Sequence, residues 1–286
     1  MITRSTLLHL RIPFSFFLMP VFLFAMAVAD EVNLINTLLA FIILHFFVYP
    51  ASNGFNSYFD KDEQAIGGLK NPPKVSKQLY YTSIIFDLIG LTLSLLISAQ
   101  FTLMVLVYGL VSKMYSHPSV RLKKMPIIGW LAIGIFQGYF TLIMSSMAIG
   151  DTSLVGTFTD KIQYAGLLSS LLLFGSYPMT QVYQHGEDAS RGDITISLKL
   201  GILGTFHFTA LTFLAASLGY GLYFYHYFSL STVVIFMLML SPVLIYFSFW
   251  YLKVRHDLKQ ANFKHTMRLN FISSLMLNLF FIYLAL

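Results

Sequence analysis

The sequence predicts an all-α, polytopic membrane protein. Three observations carry this: an apolar composition, repeated apolar runs of membrane-crossing length, and basic residues confined to alternate gaps between those runs. Of the 286 residues, 57% are hydrophobic and only 10% are charged. With a mean hydropathy of +0.72, the chain lies far from soluble norms. It has no Cys, which excludes disulfides, thiolate catalysis and Cys-based zinc or iron–sulfur sites. Any metal must therefore take oxygen or nitrogen ligands. The net charge of +6 is no nucleic-acid signature, because Lys and Arg sit in short gaps rather than in a basic domain.

Runs able to cross ~30 Å of hydrocarbon at ~20 residues each fall near 13–29, 33–50, 79–98, 101–116, 126–147, 162–183, 200–225, 229–251 and 269–286. Nine transmembrane helices are expected. Residues 98–100 leave so short a link that the third and fourth spans must form a tight hairpin.

Basic residues test this count, since each gap should alternate between rich and poor in Lys and Arg. Arg4 and Arg11 precede the first span; Lys61, Lys70, Lys74 and Lys77 follow the second; Lys113, Arg121, Lys123 and Lys124 follow the fourth. Arg191 and Lys199 follow the sixth, and five more follow the eighth. Only Lys161 lies in an opposite gap. The alternation predicts a cytoplasmic N-terminus and, for the chain, a bacterial cytoplasmic (inner) membrane. The small residues near 25–29 also fit a signal-peptide cleavage site, but eight further spans make a retained first helix the simpler reading.

An internal repeat marks the candidate site. Tyr49, Pro50, Asn53, Asn56 and Asp60 recur at a constant offset of 128 residues as Tyr177, Pro178, Gln181, Gln184 and Asp188. Both segments close a span with the same orientation, so a single integral-membrane domain (1–286) built from two parallel repeats (49–60 and 177–188) is expected, with the site at their interface. In each segment two amides and a carboxylate fall at i, i+3 and i+7, one face of a helix. Pro50 and Pro178 each remove a helix hydrogen bond, predicting a bend before the polar face. Read singly, such amides are interhelical polar glue. A matched pair with Asp at equal depth points to function, because carboxylates in a membrane are costly.

Asp60, Asp62, Glu63, Glu187, Asp188 and Asp193 make up half of the twelve acids, and they flank two loops on the basic side. Carboxylates and amide oxygens suit magnesium, which binds through a few carboxylates plus substrate phosphates. The nearby Arg and Lys suit the remaining oxygens of a diphosphate.

Residues 56–60, Asn56-Ser57-Tyr58-Phe59-Asp60, resemble the first Asp-rich motif of the UbiA-type intramembrane prenyltransferases. Tyr115-Ser116-His117-Pro118-Ser119-Val120-Arg121-Leu122-Lys123 is similar to that family's loop after the fourth helix, particularly in its chlorophyll-synthase-like and archaeal-ether-lipid-synthase-like (geranylgeranylglyceryl-phosphate) branches. Residues 188–201, with Asp188, Gly192, Asp193, Thr195 and Gly201, resemble the second motif and its tail. Arg11-Ile12-Pro13-Phe14 resembles the start of the first helix. The resemblance implies nine transmembrane helices around a central cavity and a Mg2+-dependent enzyme that transfers a polyprenyl group from an allylic diphosphate to a lipophilic acceptor and releases pyrophosphate at the cytoplasmic face. It implies Asn56, Asp60 and Asp188 as catalytic metal ligands or their supports, with Asn53, Gln181, Gln184, Asp62 and Glu187 as further metal-site candidates. Arg121, Lys123, Tyr115, Arg11 and Lys199 are the implied diphosphate contacts. The chain departs from the pattern at Ser57, Gln64 and Gln184, where carboxylates are expected.

The 28 Phe and 17 Tyr offer ring faces for an allylic cation, although most such rings pack or face lipid. Asp87 within the third span and Gln137 in the fifth fit either an acceptor contact or a structural pair. His45, His117, His185 and His207 lack paired ligand spacing and read as interhelical hydrogen-bonding groups. A terpene cyclase on the same fold and a non-enzymatic membrane carrier are the competing functions.

Overall fold

In the computed structural model, which describes residues 2–286, all regular secondary structure among those residues is helical apart from one isolated bridge between Ile66 and Leu69. Thirteen α-helices arise: α1 (Arg4–Leu10), α2 (Met19–Val28), α3 (Leu34–Ile42), α4 (Tyr49–Asp60), α5 (Lys77–Ser94), α6 (Ala99–Ser116), α7 (Pro126–Gly134), α8 (Thr141–Ile149), α9 (Asp160–Met179), α10 (His185–Arg191), α11 (Ile196–Tyr227), α12 (Leu230–His256) and α13 (Phe263–Ala285). Short residues of high capping propensity start most of them. Thr3, Asn33, Ser98, Thr159, Thr195, Ser229 and Asn262 each accept a hydrogen bond from the backbone three residues on, which satisfies N–H groups that hydrocarbon cannot.

Six helical stretches among the described residues are long and apolar enough to cross a membrane: Arg4–Val28, Leu34–Asp60, Pro126–Ile149, Ile196–Tyr227, Leu230–His256 and Phe263–Ala285. Helices α5, α6 and α9, of 18, 18 and 20 residues, occupy the other three expected positions and carry more polar side chains. The hairpin between α5 and α6 turns at 95–98, slightly earlier than expected, with Ser98 as the cap.

The first stretch begins at Arg4 and is broken twice. Arg11 takes a left-handed conformation (φ 47°), and a 3-10 segment (Ile12–Phe17) carrying Pro13 leads into α2. The second stretch runs straight through Pro50, because a π-helical segment (Ile43–Val48) absorbs the missing donor. The helix continues past this widened turn to Asp60. A second π segment (Ile135–Phe140) joins α7 to α8. There Ser170 of α9 fills the opening: it accepts from the Tyr139 backbone at 2.8 Å and donates to the Gly134 carbonyl at 2.8 Å. Gly138 permits this, since a Cβ there would lie 2.5 Å from the Ser170 Cα.

Helix α13 packs on both α12 and α2, so the last helix meets the first. The main apolar core joins Phe24, Tyr220, Phe224, Phe236, Phe280 and Phe281 in one aromatic cluster.

Candidate active site

Inside the helices lies a cavity of about 350 Å³. One part of its wall is polar, formed by Arg11, Asn53, Asn56, Asp60, Asp62, Lys123, Gln181, Gln184 and Asp188. Elsewhere the wall is largely aromatic and aliphatic, with Tyr108, Phe136, Phe213, Tyr220, Phe236 and Phe281.

Asn53, Asn56 and Asp60 share one face of α4, as their spacing predicts. Asp60 is 8% exposed. Its Oδ2 accepts from Asn56 Nδ2 at 2.8 Å, and the same amide donates to Ser116 Oγ at 2.8 Å. This leaves Asn56 Oδ1 without a protein donor. After Asp60 the helix stops at Lys61 (φ 50°), so Asp62 escapes helical register and turns into the cavity wall.

The second segment is built differently, which corrects the expectation of one helical face. Helix α9 ends at Met179, directly after Pro178, and α10 starts at His185. Gln181 lies in the turn between them, Gln184 caps α10 and Asp188 sits within it. All three still reach the cavity wall, because a turn replaces the missing helical register. Gln181 Nε2 donates to the Tyr177 hydroxyl at 3.0 Å, and its Oε1 is buried without a partner. The Tyr177 hydroxyl in turn contacts that of Tyr115, linking α9 to α6.

Direct bonds join the two segments. Glu187 Oε1 accepts from the Glu63 backbone at 2.9 Å and from Arg191, and Arg191 pairs with Asp62 at 2.5 Å. Gln184 donates to the Ala65 carbonyl at 3.4 Å. Glu187 is therefore a strut between loops and lies outside the cavity wall.

The loop after α6 supplies the base. Lys123 Nζ lies 2.6 Å from Asp60 Oδ1, as a charge contact without hydrogen-bond alignment, and 3.1 Å from Asp193 Oδ2. Arg121 forks onto Asp193, with Nε to Oδ1 at 3.0 Å and Nη2 to Oδ2 at 2.9 Å, while the same Nη2 is 3.6 Å from Asp60. Asp193 is fully buried. Burial alone would raise its pKa, but the Arg121 hydrogen bonds and the Lys123 charge outweigh it and hold the carboxyl below its usual range. Burial pushes Asp188 the other way, up to about 7, against the pull of Lys123 and with the neighbouring acids adding to the rise. Thr195 Oγ1 is 3.4 Å from Asp188 Oδ2.

Several sequence-predicted residues lie elsewhere. Lys199 is exposed on α11 and outside the cavity wall, so it reads as a topology charge. Arg121 also does not line the cavity, because Asp193 holds its guanidinium. Arg11 does line it, donating to the carbonyls of Gly67 at 3.1 Å and Asn53 at 3.4 Å. Asp87 pairs with Lys113 at 2.5 Å between α5 and α6, away from the cavity, which decides for the structural reading. Gln137 lines the cavity within the second π segment. His207 bonds Tyr251 at 2.8 Å and His185 bonds Ser197 at 2.8 Å, as expected of structural histidines. Asp193, Arg191 and Tyr177 are the residues that spacing did not mark as site members. Asp193 and Arg191 fall in the tail of the second motif, and Tyr177 within the repeat, which were the available signals.

The UbiA prenyltransferase family model matches residues 17–275. The chain belongs to the UbiA prenyltransferase family. Its fold is that of solved UbiA homologues. A homologue from Aeropyrum pernix K1 in the apo state superposes with a TM-score of 0.72 at 16% identity, over 96% of this chain and 98% of that one. A homologue from Archaeoglobus fulgidus, solved with GPP and Mg2+, gives 0.68 at 17% identity over 98% and 99%. A digeranylgeranylglyceryl phosphate synthase gives 0.62 at 20% identity over 99% and 98%. No curated protein sequence matches the chain significantly. The expected all-α, polytopic membrane fold and the expected family are thereby borne out.

Proposed function

We propose that this UbiA-family chain transfers a polyprenyl group from an allylic prenyl diphosphate to a lipophilic acceptor, with magnesium and with release of pyrophosphate. The observation that carries the reading is the joining of Asp60 and Asp188, from two distant segments, on the polar wall of a cavity whose remaining wall is largely aliphatic and aromatic.

The donor set fits magnesium. Asp60, Asp62 and Asp188 offer carboxylates, and Asn56 and Gln181 offer amide oxygens, all hard ligands. Asp60 Oδ1 and Gln181 Oε1 are buried without a hydrogen-bond donor. No group of three or more His, Asp or Glu side chains converges on one point among the described residues, so water and diphosphate oxygens complete the coordination. Solved structures of a UbiA homologue from A. fulgidus hold GPP or DMAPP with Mg2+, which supports the same ligands here. Bound magnesium would neutralise charge growing on the departing diphosphate.

The chain's own groups supply the rest. Lys123 and Arg11 pair with the diphosphate oxygens left free by the metal. The linked hydroxyls of Tyr115 and Tyr177 also face the cavity. Ring faces of Phe136, Tyr220 and Phe236 shield the allylic cation from water and stabilise it. The acceptor oxygen or ring carbon attacks that cation, forming the new bond and releasing its proton, while the electrons of the broken C–O bond leave with pyrophosphate.

Confinement of the basic residues to alternate gaps supports placing the polar wall at the cytoplasmic face of a bacterial inner membrane. The repeat supports one membrane domain of two parallel halves.

Membranes containing the chain, incubated with magnesium and radiolabelled allylic diphosphates, test the reading. A labelled lipid that forms together with pyrophosphate is expected. Pyrophosphate with a cyclised hydrocarbon would instead identify a cyclase, and label crossing the membrane as intact diphosphate would identify a carrier.

A further inference from the structure

A lysine of this chain sits where a metal ion would bind Asp60. Lys123 is 8% exposed, and its ammonium bridges Asp60 Oδ1 at 2.6 Å and Asp193 Oδ2 at 3.1 Å. The other Asp60 oxygen is taken by Asn56 at 2.8 Å. Both Asp60 oxygens are therefore engaged. A divalent ion reaching Oδ1 would meet a like charge within a few ångströms, which opposes its binding.

The two partners of Lys123 differ in what happens if it leaves. Asp193 keeps the two-pronged Arg121 contact at 2.9 and 3.0 Å, so it is never an unpaired buried charge. Asp60 keeps only Asn56 and the more distant Arg121 at 3.6 Å, so it is left short of positive charge. Lys123 also lines the cavity, and its four-carbon stem lets the ammonium swing where a guanidinium fork is fixed.

We infer that the gap between Asp60 and Asp193 is an exchangeable cation site, filled by Lys123 in the free protein and ceded at Asp60 to the metal when a diphosphate draws the ammonium away. The inference rests on the diphosphate reading above and extends it to the order of binding. In the free state the two carboxylates face Lys123 and Arg121; in the bound state the metal takes the place of Lys123 at Asp60, and Lys123 pairs with the anion. Because coupling between ligands is reciprocal, metal and diphosphate each bind weakly alone and strongly together. Lys123 is thus a positioning residue that gates the metal.

Manganese, a spectroscopic stand-in that accepts the same oxygen ligands, provides the test with inorganic pyrophosphate. Free Mn2+ is followed by electron paramagnetic resonance over the detergent-purified full chain, corrected for the Mn2+–pyrophosphate complex in solution. The unmodified chain should show a ternary affinity at least about tenfold above the product of the two binary affinities, a coupling within the usual range. Lys123→Met should bind Mn2+ alone at least about tenfold more tightly than the unmodified chain, a change that corresponds to removing one close like charge. Arg11→Met removes an equal charge from the same cavity, but one that donates to carbonyls and acts on Asp60 and Asp62 only through space, and should tighten Mn2+ binding clearly less. Independent binding of the two ligands to the unmodified chain overturns the inference even if neither variant folds. So does equal tightening by both substitutions, or none by Lys123→Met. None of these readouts needs a prenyl chain or an acceptor, so failure of the transferase reading shows separately, as absent turnover of allylic diphosphates.

Discussion

Asn56 holds Asp60 in place. Its amide nitrogen donates at 2.8 Å to Asp60 Oδ2 and at 2.8 Å to Ser116 of α6, which fixes the carboxylate rotamer across two helices. Groups that orient a metal ligand typically contribute ~10–100-fold in metal affinity or activity. Asn56→Ala should therefore lower turnover by about that factor and raise the magnesium concentration for half-maximal rate, while the prenyl-diphosphate KM moves less. Steady-state kinetics at varied magnesium checks it.

Asp188 makes metal binding pH-dependent. Burial raises its carboxyl to about 7 from an ordinary 3.8, so below pH 7 the metal must displace a proton. Magnesium affinity should weaken by up to about tenfold per pH unit below 7 and level off above it. For the metal-free fold the sign is opposite. A raised acid pKa adds stability that is complete below 3.8 and lost as pH rises through about 7. Magnesium titrations from pH 5.5 to 8.5 should show this slope in the unmodified chain and lose it in Asp188→Asn.

Arg121 forks onto the fully buried Asp193. Removing one partner of such a pair typically costs about 3–5 kcal/mol by stranding the other charge. Arg121→Met should lower thermal stability in detergent markedly, and Arg121→Lys, which cannot fork, should restore only part of it.

Gly138 lets α9 enter the π segment. A Cβ there would stand 2.5 Å from the Ser170 Cα and 2.6 Å from its nitrogen, both backbone atoms that cannot rotate away. Gly138→Ala should destabilise by about 1–3 kcal/mol, the usual range for overpacking, seen as a lower melting temperature.

Lys199 serves as the contrast to Lys123. It is exposed and lies outside the cavity wall, so Lys199→Ala should change turnover and magnesium dependence by less than about twofold, in line with other surface substitutions.

Period and charge made the helices legible, because hydrocarbon demands long apolar runs and the basic gaps fix their polarity. Asn53, Asn56 and Asp60 were readable for the same reason: α4 is continuous, so spacing equals geometry. Gln181, Gln184 and Asp188 reach the same cavity through a broken helix, and there helical spacing is no guide. Asp62, a candidate in the sequence, reaches the cavity wall only because the left-handed Lys61 ends the helix before it. The partners of Asp193 and Arg191 stayed hidden because ion pairs join distant loops, and one-dimensional spacing does not encode which charges meet. Lys199 erred in the other direction, as a basic residue beside a motif is equally well a topology signal.

The central claim is that Asp60 and Asp188 act as one metal–diphosphate site. Its most direct test is magnesium-dependent pyrophosphate release from allylic diphosphates by Asp60→Ala, Asp188→Ala and the double variant. A shared site predicts that each single substitution removes nearly all release and that the double is little worse than either, as for residues that act as a unit. Release that survives both single substitutions, or losses that simply multiply in the double, would contradict the account.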